Sequence, residues 1–344
     1  MVIRCIQCGN GFSSASLTLC ADCIREYPSK SNLYRLHAKY RETFELPPLV
    51  PEEGDIECRF CANKCRPSIS SKGYCGVREN KGSRIERRAG KDTALAHAYL
   101  DPLPTNCCAE WFCRGSKERG YNLAVFFYGC GFDCLFCQNA EHKDVDRAPS
   151  LSIDELVEKA LSPRVRCVCF FGGSPEPQMD FAIKASSIII RESGNKKHIC
   201  WEWNGSGNPR MVLKAAELSY ISGGTVKFDL KAWNEKLHIA LCGTDNKRTL
   251  ENFKLIGEEF RDSTDLLTAT TLMVSYYVDK KEVNEIAGFI SSISREIPYS
   301  LLAFHPDFVL DDLPPTPKSQ ANECYETAKK YLRRVNIGNR YLLW

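Results

Sequence analysis

From about Tyr121 onward the chain alternates two kinds of apolar pattern. Short runs rich in β-branched and aromatic residues read as strands: AVFFYG (124–129), CVCFFGG (167–173), HICWEWN (198–204), TVKFDLK (225–231), LTATTLMV (267–274) and SLLAFHP (300–306). Helical stretches lie between them. Ser152 and Glu155 form a capping box ahead of LVEKAL, and Asp279 with Glu282 has the same form before Val283, Ile286, Phe289, Ile290 and Ile293 at helical spacing. Strands alternating with helices predict an α/β protein with a parallel sheet over residues 121–310. Six such units fit a doubly wound sheet or an incomplete barrel, and periodicity does not choose between them.

The flanking regions read differently. Residues 1–25 form a compact Cys-rich knot, and 26–56 a linker with one helix around 31–45. Residues 57–120 are a second Cys-rich extension with little regular periodicity, and 311–344 a C-terminal tail and helix. The chain of 344 residues is ample for one large domain and a smaller one. Its net charge of +3 forces neither a nucleic-acid nor a membrane reading. There is no apolar run of membrane-spanning length, and the start, MVIRCIQCGN, lacks the apolar core of a leader. The 19 cysteines are an odd number and too few for a disulfide scaffold. A cytoplasmic, reduced protein using thiolates for metals is the expectation.

The most informative stretch is YGCGFDCLFCQN (128–139), where Cys130, Cys134 and Cys137 are spaced C-x3-C-x2-C between a strand and a helix-like segment. Three thiolates can hold three corners of a [4Fe–4S] cube and leave the fourth iron open to a small molecule. The competing reading is a zinc site completed by His142. With Phe136 before the last cysteine, the loop resembles the signature of the radical S-adenosylmethionine (SAM) superfamily. That resemblance implies SAM on the open iron, reductive cleavage to a 5′-deoxyadenosyl radical, and hydrogen abstraction.

Other segments carry the same likeness. FFGGSPEP (170–177) resembles the family's glycine-rich motif, implying that Gly172, Gly173 and Ser174 meet SAM. On TVKFDLK, Lys227, Asp229 and Lys231 share one face, which predicts a polar interior. The stretch 226–255, with Asp229, Leu230, Lys231, His238, Gly243 and Asn246, resembles the pyruvate formate-lyase activating enzymes. On HICWEWN, Glu202 and Asn204 face the same way as His198 and are expected at SAM, with Trp201 and Trp203 packed under helices. AFHPDF (303–308) matches an F-H-P segment of that branch, placing His305 near substrate or adenosine; a structural histidine is the alternative. Thr270 stands where activating enzymes often carry Arg, so that role does not transfer. The resemblance implies a partial (β/α)6 TIM-type barrel with SAM near the C-terminal ends of its strands.

Cys5, Cys8, Cys20 and Cys23 form C-x2-C-x11-C-x2-C, which fits a tetrahedral Zn²⁺ ribbon. Cys58, Cys61, Cys65 and Cys75 are read as a second metal site, zinc or an auxiliary cluster, or as reduced cysteines in a tight loop. Cys107, Cys108 and Cys113 receive no role, and Cys167, Cys169, Cys200, Cys242 and Cys324 default to buried free thiols. The function expected is hydrogen abstraction from a protein substrate, driven by a low-potential donor such as ferredoxin or flavodoxin, in an anaerobic setting. Radical C-methylation of a protein residue, with cobalamin as the lesser option, and modification of RNA or a small molecule are the alternatives; nucleic acid is not favoured. A non-catalytic metal module would show no SAM cleavage.

Overall fold

The computed structural model describes residues 2–26, 30–105 and 107–344, with the backbone alone for 30–32. Strands β1 (Ile3–Arg4) and β2 (Phe12–Ser13) pair antiparallel and are followed by helix α1 (Ala21–Glu26), forming the N-terminal knot. Helix α2 (Lys30–Glu42) and a small hairpin, β3 (Arg78–Asn80) with β4 (Ile85–Arg87), precede a long strand β5 (Thr93–Pro102). The repeating part then runs β6 (Tyr121–Phe127), β7 (Ser150–Ser152), α3 (Ile153–Leu161), β8 (Val165–Gly172), α4 (Met179–Ser193), β9 (His198–Trp203) and α5 (Pro209–Ser222). It continues with β10 (Val226–Asp229), α6 (Glu235–Cys242), α7 (Lys247–Glu259), β11 (Leu267–Met273), α8 (Lys280–Ile293), β12 (Tyr299–Ala303), α9 (Lys318–Lys329) and β13 (Val335–Gly338).

The main sheet has the order β13-β12-β11-β10-β9-β8-β6-β5-β7. Every pair from β6 to β13 is parallel, and β5 lies antiparallel between β6 and β7. The six expected strands form the centre of this sheet, which has the partial-barrel order of a (β/α)6 unit. Three additions, β5, β7 and β13, were not read from the sequence. β13 extends the barrel beyond β12, and its four residues, VNIG, are too short to show alternation. β5, TALAHAYLDP, pairs with β6 along seven residues, but its alanines give weak apolar contrast.

Alternation along the strands decides what faces the lumen. Val125 and Phe127, Val168 and Phe170, Ile199 and Trp201, and Val226 and Phe228 point outward and are buried against the helices. Asn122, Cys167, Cys169, Cys200, Glu202, Thr225 and Lys227 line an internal cavity of about 310 Å³. The interior position predicted for Lys227 holds: its ammonium lies 3.2 Å from both Cys107 Sγ and Cys169 Sγ, and 3.3 Å from Glu202.

The Ser152–Glu155 capping box forms in both directions. The second one forms only by half. Asp279 accepts from the N–H groups of Lys281 and Glu282, but the Glu282 carboxylate turns to Arg25 (2.9 Å) and to the backbone N–H groups of Trp233 (2.6 Å) and Asn234 (3.0 Å). Arg25 also meets Asp279 at 2.8 Å, so this network fastens the N-terminal knot to the barrel.

Candidate active site

The C-x3-C-x2-C loop leaves the end of β6 and crosses over α6. Two loop amides donate to the last carbonyls of that helix: Asp133 N–H to Cys242 O (2.8 Å) and Leu135 N–H to Leu241 O (2.9 Å). A helix C-terminus leaves such carbonyls without intrahelical partners, so the loop completes the helix and the helix shapes the loop. Gly243 ends α6 with φ +74°, and a Cβ there would lie 3.1 Å from Asp133, His37 and Tyr74. Asn246 ties the approach to α6 by donating to Ala232 O and Trp233 O, both at 2.8 Å. His238 is buried, hydrogen-bonded through Nδ1 to Thr244 O (2.7 Å) and edge-on to Phe132 in the loop. Gly243, Asn246 and His238 thus build the floor beneath the loop.

Within the loop, Asp133 is fully buried and surrounded by basic side chains. Its carboxylate accepts from His37 Nδ1 at 2.9 Å, lies 3.5 Å from Arg41, and contacts Lys143 directly. Burial alone would raise its pKa, but Lys143, His37 and Arg41 together hold it well below the carboxylate range. His37 also reaches Ile239 O (3.0 Å), so α2, α6 and the loop meet at one point.

Cys130, Cys134 and Cys137 open into a cavity of about 180 Å³ at the C-terminal ends of the strands. Gly172, Gly173, Glu202, Asn204, Asp229 and Lys231 line the same cavity, with Phe136, His142, Trp203 and Thr270. Six of the eight expected SAM residues therefore converge there. Lys231 pairs with Asp229 at 2.9 Å, and Asn204 Nδ2 donates toward Cys130 Sγ at 3.4 Å. At Gly173 a Cβ would strike Gly129 O at 2.4 Å and the His142 ring at 2.8 Å, so no larger residue fits.

Ser174 and His305 lie elsewhere. Ser174 Oγ donates to the Glu176 carboxylate and accepts from Asn204 N–H (3.3 Å), which makes it part of the wall behind the cavity. His305 follows β12, is half exposed, and faces Asp307 at 3.7 Å. Trp203 also departs from expectation. It stacks on Trp201 beneath the helices, yet it reaches the cavity with an unpaired Nε1.

Glu176 carries a signal that motif reading passed over: a carboxylate inside an apolar Gly-Pro turn. It is buried and accepts from Gly205 N–H at 2.7 Å, joining the β8 turn to the β9 turn. Burial raises its pKa to about 7, against the hydrogen bonds from Ser174 and Gly205.

The residues present fit a [4Fe–4S] cluster with SAM. No three of Cys130, Cys134, Cys137 and His142 bring ligand atoms within 4.8 Å of one another, a spacing that Cys5, Cys8, Cys20 and Cys23 do meet. A single tetrahedral ion holds sulfurs about 3.8 Å apart, so the loop is set for something wider and the N-terminal knot for one ion. The zinc alternative with His142 is thereby disfavoured. His142 is buried, which lowers its pKa to about 3, and its Nδ1 has no partner. Trp203 Nε1 and Thr270 Oγ1 on the same wall are also unpaired. Buried polar atoms without partners are rare, and three around one cavity are what a polar ligand would satisfy.

The model of the Radical SAM superfamily matches residues 124–290, the span from β6 into α8. Residues 124–290 are thus a radical SAM superfamily domain. An uncharacterized protein of Methanocaldococcus jannaschii is 26% identical over 299 residues, covering 84% of this chain and 82% of its own. A putative glycyl-radical enzyme activating enzyme of the same organism is 25% identical over 53% of this chain and 67% of its own. The pyruvate formate-lyase 1-activating enzyme of Escherichia coli is 27% identical over 150 residues, 43% of this chain and 60% of that enzyme. The chain is an enzyme of the radical SAM class, and its activating-enzyme relatives support radical generation.

Two predictions follow from the site. Replacing Asp133 by Asn strands buried His37, Arg41 and Lys143 without their counter-charge, and the cost expected is about 3–5 kcal/mol in chemical denaturation at pH 7. In the parent, the contribution of Asp133 is full above the ordinary carboxylate range and lost as pH falls through its depressed native value, so the gap to the variant narrows in acid. Glu176 has the opposite sign. Its raised pKa contributes stability below the ordinary value of 4.5 that is lost as pH rises through about 7. Glu176→Gln should flatten the stability profile between those values, by up to about 3 kcal/mol; an unchanged slope in pH-dependent denaturation would count against the buried carboxyl.

Proposed function

We propose that this radical SAM enzyme abstracts a hydrogen atom from a carbon of a protein substrate. Cys130, Cys134 and Cys137 would hold the [4Fe–4S] cluster, and Gly172, Gly173, Glu202, Asn204, Asp229 and Lys231 would surround SAM. When bound, the pair supplies one-electron cleavage of the sulfonium to methionine and a 5′-deoxyadenosyl radical. A low-potential donor such as a ferredoxin or flavodoxin would provide the electron.

The chain's own residues have separable tasks in this reading. Asn204 donates to Cys130 Sγ, which would lower electron density on that ligand and tune the potential of a bound cluster. The half-buried Lys231–Asp229 pair presents one cation and one anion to a zwitterionic ligand. Gly172 and Gly173 keep the wall free of side chains where the backbone must approach. Phe136 and Trp203 bound the cavity and limit water around a reactive radical. Zn²⁺ is the ion proposed for Cys5, Cys8, Cys20 and Cys23, in a folding role.

The observation that carries the proposal is the convergence of three widely spaced thiols with three unpaired polar atoms in one cavity. The names of the activating-enzyme relatives favour a protein as the target.

With dithionite, SAM and reconstituted protein, 5′-deoxyadenosine should form, and Cys134→Ala should reduce it to background. Retained cleavage in that variant would contradict the assignment. With a uniformly deuterated cell extract, deuterium should enter 5′-deoxyadenosine, and protease treatment of the extract should abolish the transfer. Transfer that survives protease but not nuclease, or that comes from the small-molecule fraction, would overturn the protein substrate.

A further inference from the structure

Cys58, Cys61, Cys65 and Cys75 lie outside the SAM cavity, yet the structure gathers them. Cys58 N–H donates to Cys65 O at 2.7 Å, which closes the Cys58–Cys65 turn. Lys64 takes a left-handed conformation, φ +46°, inside it. Tyr74 N–H points at Cys65 Sγ at 3.4 Å, bringing Cys75 alongside. Cys58, Cys65 and Cys75 are buried, and Cys58, Cys65 and Cys75 all lie within electrostatic reach of Cys61.

Their spacing separates two readings. No three of these sulfurs lie within 4.8 Å of one another, unlike the four of the N-terminal knot. The same holds for Cys130, Cys134 and Cys137. A lone tetrahedral ion would require contraction to about 3.8 Å. A four-iron cube takes four thiolates, the number that this turn and Cys75 supply without crowding three of them around one point.

The turn is also fastened to the signature loop. Asn63 Nδ2 donates to Gly131 O at 2.7 Å, and a Cβ at Gly131 would lie 3.7 Å from Cys61 Sγ. Gly131 is the residue after Cys130. A Cβ at Gly129, on the other side of Cys130, would lie 2.6 Å from Cys75 O. Ala62 N–H donates to Ser206 O and Asn208 N–H to Phe60 O, both at 2.9 Å, so the turn is held on two sides.

We infer that Cys58, Cys61, Cys65 and Cys75 hold a second [4Fe–4S] cluster, fully ligated by protein, that passes electrons to the cluster of the signature loop. Four protein ligands leave no open iron, so this centre carries electrons and does not bind SAM. One electron enters from a low-potential donor protein and one leaves to the neighbouring cluster; no bond is made and no proton moves. The relay rests on the proposed function, whereas the metal site does not.

The test uses the full chain with Cys130, Cys134 and Cys137 all replaced by Ala, reconstituted without oxygen. About four irons with four acid-labile sulfides per chain are expected, beyond any metal at the N-terminal knot, because that is the content of one cube. The reduced sample should show a paramagnetic spectrum that does not change when SAM is added. Zinc in place of labile sulfide, or no metal beyond the knot, would overturn the inference. Because the signature ligands are absent, failure of the SAM reading leaves this result unaffected. In the parent background, Cys58→Ala with Cys65→Ala should halve the labile sulfide and sharpen the SAM-responsive spectrum by removing a nearby spin. An unchanged sulfide content would refute the site.

Discussion

The site depends on one buried anion. Asp133 sits between two cluster-loop cysteines, and three basic side chains from two other parts of the chain close on it: His37 and Arg41 from α2 and Lys143 from beyond the loop. An unpaired charge at such depth would cost several kcal/mol, so these elements are locked to one another. The loop holding Cys130, Cys134 and Cys137 is thereby set from behind, by charge, before any cofactor arrives. α6 completes the support, because its last carbonyls accept from the loop amides that flank Cys134.

This gives the regions outside the radical SAM domain a physical role. The helix of the 26–56 segment supplies two of the basic partners, His37 and Arg41. The Cys58–Cys65 turn grips Gly131 through Asn63, and the N-terminal knot is fastened to α8 through Arg25. β5 covers the side of β6 that faces away from the barrel's parallel strands, next to where the signature loop begins. The radical SAM domain is thus braced by the elements that precede it in sequence.

Much of the centre was legible from the sequence because its signals are local. Alternation marked the six central strands, and the C-x3-C-x2-C and GGSPEP segments located both walls of the cavity. Six expected residues meet there, since each lies at the end of a parallel strand on the lumen face. What escaped depends on tertiary partners. Nothing in the neighbours of Asp133 announces that His37 will reach it. Ser174 was drawn from the cavity by Glu176, and His305 lies past the end of its strand. Glu282 had the sequence of a capping box but found a stronger donor in Arg25. VNIG and TALAHAYLDP lacked the apolar contrast by which a strand is seen.

The central claim is that the cavity beside Cys130, Cys134 and Cys137 binds SAM directly on an open iron. Electron–nuclear double resonance on the reduced, reconstituted protein with SAM labelled with ¹⁵N at its amino group tests it most directly. The account predicts a hyperfine coupling from that nitrogen to the cluster, lost in the Cys130, Cys134 and Cys137 triple replacement. A reduced cluster that shows no coupling to the label, in a sample where SAM is bound, would contradict it.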